Sequence, residues 1–153
     1  MAEKKIVTFE SIMRDLRAGN YAPVYILMGE ESYYIDKITD FISTNALTPE
    51  ERDFNQSVVF GSDVSSSQIV DMARRFPMMA ERQVVIVKEA QNIKNWEQLE
   101  KYVEKPVKST VLVLCHKNGS IDGRKKILAK AAATGVVFES KKTVSYTHLR
   151  AHE

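Results

Sequence analysis

The residues best placed to do chemistry are Gly29, Glu30 and Glu31, which follow an apolar run at residues 24–28 and open a helical pattern. A strand that turns on a glycine into a helix presents backbone amides to a phosphate. A working phosphate loop reads G-x-x-x-x-G-K-[ST]. Its glycines let the amides wrap the anion, its lysine reaches the β- and γ-phosphates, and its hydroxyl holds Mg²⁺. Here the stretch reads Met28-Gly29-Glu30-Glu31-Ser32-Tyr33-Tyr34-Ile35-Asp36-Lys37. The turn glycine is present, but the second glycine and the Lys-Ser/Thr pair are missing, and Lys37 is the first lysine of the stretch. The two carboxylates suit the positive end of a helix and would repel a triphosphate. A Mg²⁺-holding acidic pair at the end of a strand is missing too. The run at residues 84–87 continues as Lys88-Glu89, with Lys where the metal-ligating Asp would stand. The expectation is a degenerate phosphate loop at Gly29, Glu30, Glu31 and Lys37 that holds no nucleotide.

No other catalytic or metal constellation is present. There is no G-x-S-x-G nucleophile turn and no Cys/His cluster at zinc spacing. The single cysteine, Cys115, sits inside an apolar run and reads as a small buried hydrophobe in a reducing compartment, so cytoplasm is expected. His116 reads as a solvent-facing loop residue at a strand end. His148 and His152 stand at i, i+4 without the glutamate of an HExxH site. Neither a cofactor nor a metal is expected.

Five short apolar or β-branched runs would position these residues, at 24–28, 57–60, 84–87, 111–115 and 136–138. Near-continuous rather than alternating apolar strands imply a sheet covered on both faces. Helical patterns between them imply βαβ units and a mainly parallel five-stranded sheet in an α/β domain. Thr8 is the expected cap of a helix over residues 9–18 that buries Phe9, Ile12, Met13 and Leu16. A second helix runs over 31–45 with Tyr34, Ile35, Ile38 and Phe41 inward. Thr48-Pro49-Glu50-Glu51 has capping-box spacing with Pro at the first helical position. Ser65-Ser66-Ser67 caps a helix through Arg75 whose apolar stripe is Ile69, Met72, Ala73 and Phe76. Two further helices are expected over 95–103, with Trp96, Leu99 and Val103 inward, and over 123–133.

The 153 residues, 44% apolar and 27% charged, fit one soluble domain. The longest apolar run, at residues 111–115, is far short of the about 20 residues that span a bilayer, and no signal-like block opens the chain. Residues 1–83 carry nine Lys/Arg against thirteen Asp/Glu, and residues 84–142 carry twelve against six. The basic second half fits either a solvated helix face or a DNA-binding surface, and the absence of an aromatic platform among its lysines favours the first. Residues 144–153 break the pattern and read as an artefactual, non-native tail.

The stretch Arg74-Arg75-Phe76-Pro77-Met78-Met79-Ala80-Glu81-Arg82-Gln83 does not fit the scaffold so simply. Phe76 would complete a buried stripe, and Pro77 ends the helix and holds Phe76 extended. Met78 and Met79 follow the break. Core packing is their default role; the alternative is an exposed apolar tip, for which unbranched thioethers are well suited.

Three stretches carry a family resemblance in their order and spacing: Pro23-Val-Tyr-Ile-Leu-Met-Gly-Glu-Glu-Ser-Tyr-Tyr-Ile-Asp-Lys37, Phe76-Pro-Met-Met-Ala-Glu-Arg-Gln-Val-Val-Ile-Val87, and Thr110-Val-Leu-Val-Leu-Cys-His-Lys117 followed by Asp122-Gly-Arg-Lys-Lys126. The chain resembles the delta subunit family of the bacterial DNA polymerase III clamp loader over about residues 6–143, in wording closest to its Bacteroides-type branch. The resemblance implies a RecA-like, AAA+-type three-layer domain over residues 1–143, with the family's lid and collar domains lying outside these 153 residues. It implies a non-catalytic subunit of an assembly with DNA polymerase activity, which binds the ring-shaped sliding clamp (the beta subunit) and opens one of its interfaces. Other loader subunits hydrolyse ATP, and DNA is met through the complex. Carried over by position, the clamp-binding plug is Met78-Met79, supported by Phe76 and Pro77, with Met where the family usually has an aromatic. The resemblance therefore places Met78 and Met79 on the surface. The competing readings are a nucleotide hydrolase with an unusual phosphate loop, and a DNA-binding module using the basic half.

Overall fold

A strand with apolar residues on both sides of its pleat is stable only between two covering layers. The structure, a computed structural model, describes residues 7–117 and 125–140. In chain order its elements are α1 (Phe9–Arg17), β1 (Val24–Gly29), α2 (Ser32–Asn45), α3 (Pro49–Asn55), β2 (Gln56–Phe60), α4 (Ser66–Ala73), β3 (Gln83–Lys88), a 3₁₀ turn (Ala90–Asn92), α5 (Glu97–Glu104), β4 (Thr110–Lys117), α6 (Lys125–Thr134) and β5 (Val136–Ser140). The five strands form one sheet in the order β2-β3-β4-β1-β5, and every pairing is parallel. All six residues of β1 are buried, because the strand lies between β4 and β5 and under helices on both faces.

The pleat sorts the core into two halves. Val24, Ile26 and Met28 of β1, with Val85 and Val87 of β3, face Ile69 of α4, Leu99 and Tyr102 of α5, and Ile127 of α6. Tyr25 and Leu27 face the opposite way, with Val84, Ile86 and Val113, onto Leu16 of α1 and Ile35, Ile38 and Ile42 of α2. The domain is thus a three-layer α/β sandwich, as the spacing of apolar runs implied. Side-chain caps start four helices where expected or within a residue. Thr8, Thr48 and Ser65 each form a reciprocal capping box, and the Glu31 carboxylate caps α2. Among the described residues no helix is long and apolar enough to cross a membrane.

Three expectations are corrected. The fourth helix ends at Ala73 rather than Arg75, so Phe76 lies beyond the helical repeat and is 87% exposed instead of completing the stripe. His116 is a buried residue within β4, its ring 6.2 Å from that of Trp96, and not a loop residue in solvent. The last helix starts at Lys125 in the described residues; positions 123 and 124, the 122–124 part of the third motif and the tail at 144–153, with His148 and His152, lie outside them. Cys115 is buried as expected, its Sγ 3.2 Å from Thr39 Oγ1, and burial pushes its thiol pKa upward.

Tyr25 gives the buried face a pH limit. Burial raises its phenol to about 12, although the Ala22 amide donating to its oxygen at 2.9 Å pulls the other way. The folded-state value lies above the ordinary 10, so the folded state holds this proton more tightly. Its contribution is complete below pH 10 and is lost as pH rises toward 12. Denaturant titrations between pH 9 and 12 should show the wild type losing up to about 3 kcal/mol more stability than Tyr25→Phe across that window.

Candidate functional site

In a parallel sheet the strand-to-helix connections gather at the C-terminal edge, where ligands usually bind, and the helix-to-strand connections gather at the opposite edge. Both edges contain sequence-predicted residues, and they are built very differently.

At the C-terminal edge Gly29 ends β1 with φ 126°, and a Cβ there would fall 1.9 Å from the Ser140 carbonyl oxygen. The glycine is therefore required twice, by its backbone angle and by the close approach of β5. Ser140 continues this closure: its hydroxyl donates to the Glu31 carbonyl at 2.6 Å. The Glu31 carboxylate, on a residue only 8% exposed, accepts from the Tyr33 amide at 3.1 Å. One of the free amides at the start of α2 is thus answered by the chain's own anion. Glu30 is exposed. Lys37 lies on the α1 side of α2, where its ammonium stands 5.5 Å from the centre of the Tyr33 ring. Its neighbour Asp36 pairs instead with Lys117 at the end of β4, at 2.8 Å. Lys88 closes β3 and is exposed. The cavity among Asp36, Lys88, Cys115 and Lys117 is about 100 Å³, against roughly 300–1,000 Å³ for a typical ligand pocket.

The opposite edge carries the connection from α4 to β3. Its ends are tied by polar side chains. The Gln83 side-chain amide, on the first residue of β3, lies within hydrogen-bonding distance of the Met72, Ala73 and Arg75 carbonyls at 3.0, 3.2 and 2.8 Å. The Thr110 hydroxyl donates to Ala73 O at 2.5 Å. These contacts satisfy carbonyls that the end of a helix leaves without amide partners. Arg82 donates to Ala46 O at 3.2 Å and lies over the Tyr21 ring at 4.8 Å. In the middle of the connection Asn55 bonds both backbone groups of Met78: its Oδ1 accepts from the amide at 2.6 Å and its Nδ2 donates to the carbonyl at 2.9 Å.

From this tied base three large apolar side chains project into solvent. Phe76 is 87% exposed, Met78 61% and Met79 99%, while Pro77 is half-buried between them. Core packing, the default reading of the two methionines, does not hold; the exposed tip does. Sequence reasoning missed Asn55 and Gln83. Gln83 offered only its place before an apolar run. Asn55 offered nothing local, since its partner is 23 positions away.

The family model described as DNA polymerase III, delta subunit, matches residues 25–141. The chain belongs to that family. A curated relative, the DNA polymerase III subunit delta of Bacillus subtilis, is 31% identical over 140 residues, covering 85% of this chain and 40% of its own length. The solved Bacillus subtilis DNA clamp loader delta protein superposes with a TM-score of 0.81 at 28% identity, over 94% of this chain and 45% of that one. A DNA polymerase III gamma subunit-related protein of Thermotoga maritima shares the fold at a TM-score of 0.53 and 16% identity, over 93% of this chain and 48% of that one. The chain therefore spans less than half the length of each of these relatives.

The Gly29 closure can be tested directly. Gly29→Ala should lower unfolding stability by about 3 kcal/mol or more, since it adds both a backbone cost and a collision with Ser140. Glu30→Ala, at an exposed position, should change it by less than about 0.5 kcal/mol. Denaturant midpoints of the two variants provide the comparison.

Proposed function

We propose that this domain is the clamp-gripping, non-catalytic part of a bacterial clamp-loader subunit, working in the cytoplasm. Residues 1–143 form its AAA+-like N-terminal domain, and the lid and collar of the complete subunit lie beyond these residues. The observation that carries the reading is the tip itself: Phe76, Met78 and Met79 held in water by a hydrogen-bonded base. Exposed apolar side chains grouped this closely mark an interaction site rather than incidental surface. The partner proposed for it is the sliding clamp, as the resemblance to the delta family implies.

The mechanism needs no chemistry from this domain. The apolar tip enters a pocket at one interface of the ring. If it binds the sprung interface more tightly than the closed one, it shifts the ring toward opening by that difference in affinity. ATP is hydrolysed by neighbouring subunits of the loader, whose movement against this domain uncovers or hides the tip, and DNA is contacted through the assembly. The degenerate phosphate loop fits this division of labour. Glu31 caps the helix from within, and Asp36 engages Lys117.

Two measurements decide the proposal. Met78→Ala combined with Met79→Ala should weaken binding to the sliding clamp about 100-fold, since each thioether side chain is worth about 1.5 kcal/mol or more when desolvated. Unchanged affinity in surface plasmon resonance would remove the tip from the interface. Calorimetric titration with Mg²⁺-ATP should give no saturable heat. Saturable binding that is lost on changing Glu31 or Lys37 would instead establish a nucleotide site.

A further inference from the structure

An exposed apolar tip has no packing of its own to fix its shape. Phe76 and Met79 have little protein around them, and Met79 also takes a left-handed backbone angle, φ 56°, without being glycine. A non-glycine residue keeps that angle only where its surroundings impose it. Something adjacent must therefore hold the backbone, and the residue that grips the neighbouring position is Asn55.

Asn55 is only 4% exposed, and its amide is used on both sides. It accepts from Met78 N at 2.6 Å and donates to Met78 O at 2.9 Å, as a neighbouring strand would, and it also donates to Glu51 O at 2.9 Å within its own helix. The last bond fixes the side chain against α3, and the first two fix Met78 against the side chain. We infer that Asn55 is a positioning residue for the clamp contact: it holds the 76–80 segment in its projecting form before the partner arrives. Clamp binding then orders little new backbone, and a tip with no buried anchor can still bind tightly. This inference rests on the reading of Met78 and Met79 as the clamp contact, and adds to it a residue that does not itself touch the clamp.

The chemistry specifies the variants. Asn55→Ala removes both bonds to Met78. Asn55→Asp keeps an acceptor for Met78 N and removes the donor to Met78 O. The experiment measures, in the full-length chain, clamp affinity by surface plasmon resonance, the thermal midpoint, and hydrogen exchange of the amides at residues 76–80. Asn55→Ala should weaken clamp binding about 10-fold at temperatures where the variant is fully folded, and Asn55→Asp should recover part of that loss. Exchange at the Met78 amide of the free protein should accelerate at least about 10-fold, while amides of β1 and β4 keep their protection. In a Met79→Ala background the effect of Asn55→Ala should shrink, because the two residues act through one contact.

An equal affinity loss in both backgrounds, with faster exchange throughout the sheet, would make Asn55 a general stability residue and overturn the inference. So would unchanged exchange at the Met78 amide. Retained clamp affinity in the Met78→Ala, Met79→Ala variant would overturn the functional reading instead. The exchange data on the free protein would still report whether Asn55 holds the segment.

Discussion

Burial of the central strand on both faces is the constraint on which the rest of this domain depends. With every β1 residue shielded, helices must cover both sides of the sheet, and each strand can reach its parallel neighbour only by crossing one of those layers. That arrangement separates the connections into two groups at opposite edges. At the edge where such folds usually bind ligands, Gly29 lies against Ser140, Glu31 caps the start of α2 and Asp36 pairs with Lys117. The other edge bears the exposed apolar tip. A scaffold suited to nucleotide binding here presents its most conspicuous surface at the end remote from the phosphate-loop position.

The two edges also differ in what holds them. Around Gly29 the constraint is steric, a backbone approach that leaves no room for a side chain. Around Met78 it is polar: Asn55, Gln83, Thr110 and Arg82 satisfy backbone groups and leave the apolar side chains unused. This inverts the usual arrangement, in which apolar residues anchor a segment and polar ones face water. It is consistent with a surface whose apolar groups are kept for another molecule.

The layers were legible in the sequence because they rest on local periodicity. The apolar runs became the five strands, and Thr8, Thr48 and Ser65 capped the helices they precede. Phe76 was misjudged on residues alone because the helical repeat was carried two residues past its end at Ala73. His116 was misjudged because a polar residue at the end of an apolar run gives no sign that the strand continues. Gln83 and Asn55 lay beyond local reasoning altogether. Their bonds join positions brought together only when β3 enters the sheet and α3 packs beside it, and no spacing along the chain announces them. The tip was found by resemblance to a family, since local pattern alone placed its methionines in the core.

Met79 carries a further consequence. A left-handed residue with almost no protein around it would serve folding best as glycine or asparagine. Methionine there adds backbone strain and no internal contact, so selection for stability alone would replace it. Under the proposed role, position 79 is a point where stability and recognition pull in opposite directions, and any sequence optimised solely for a more rugged domain would be drawn toward losing a side chain that is 99% exposed.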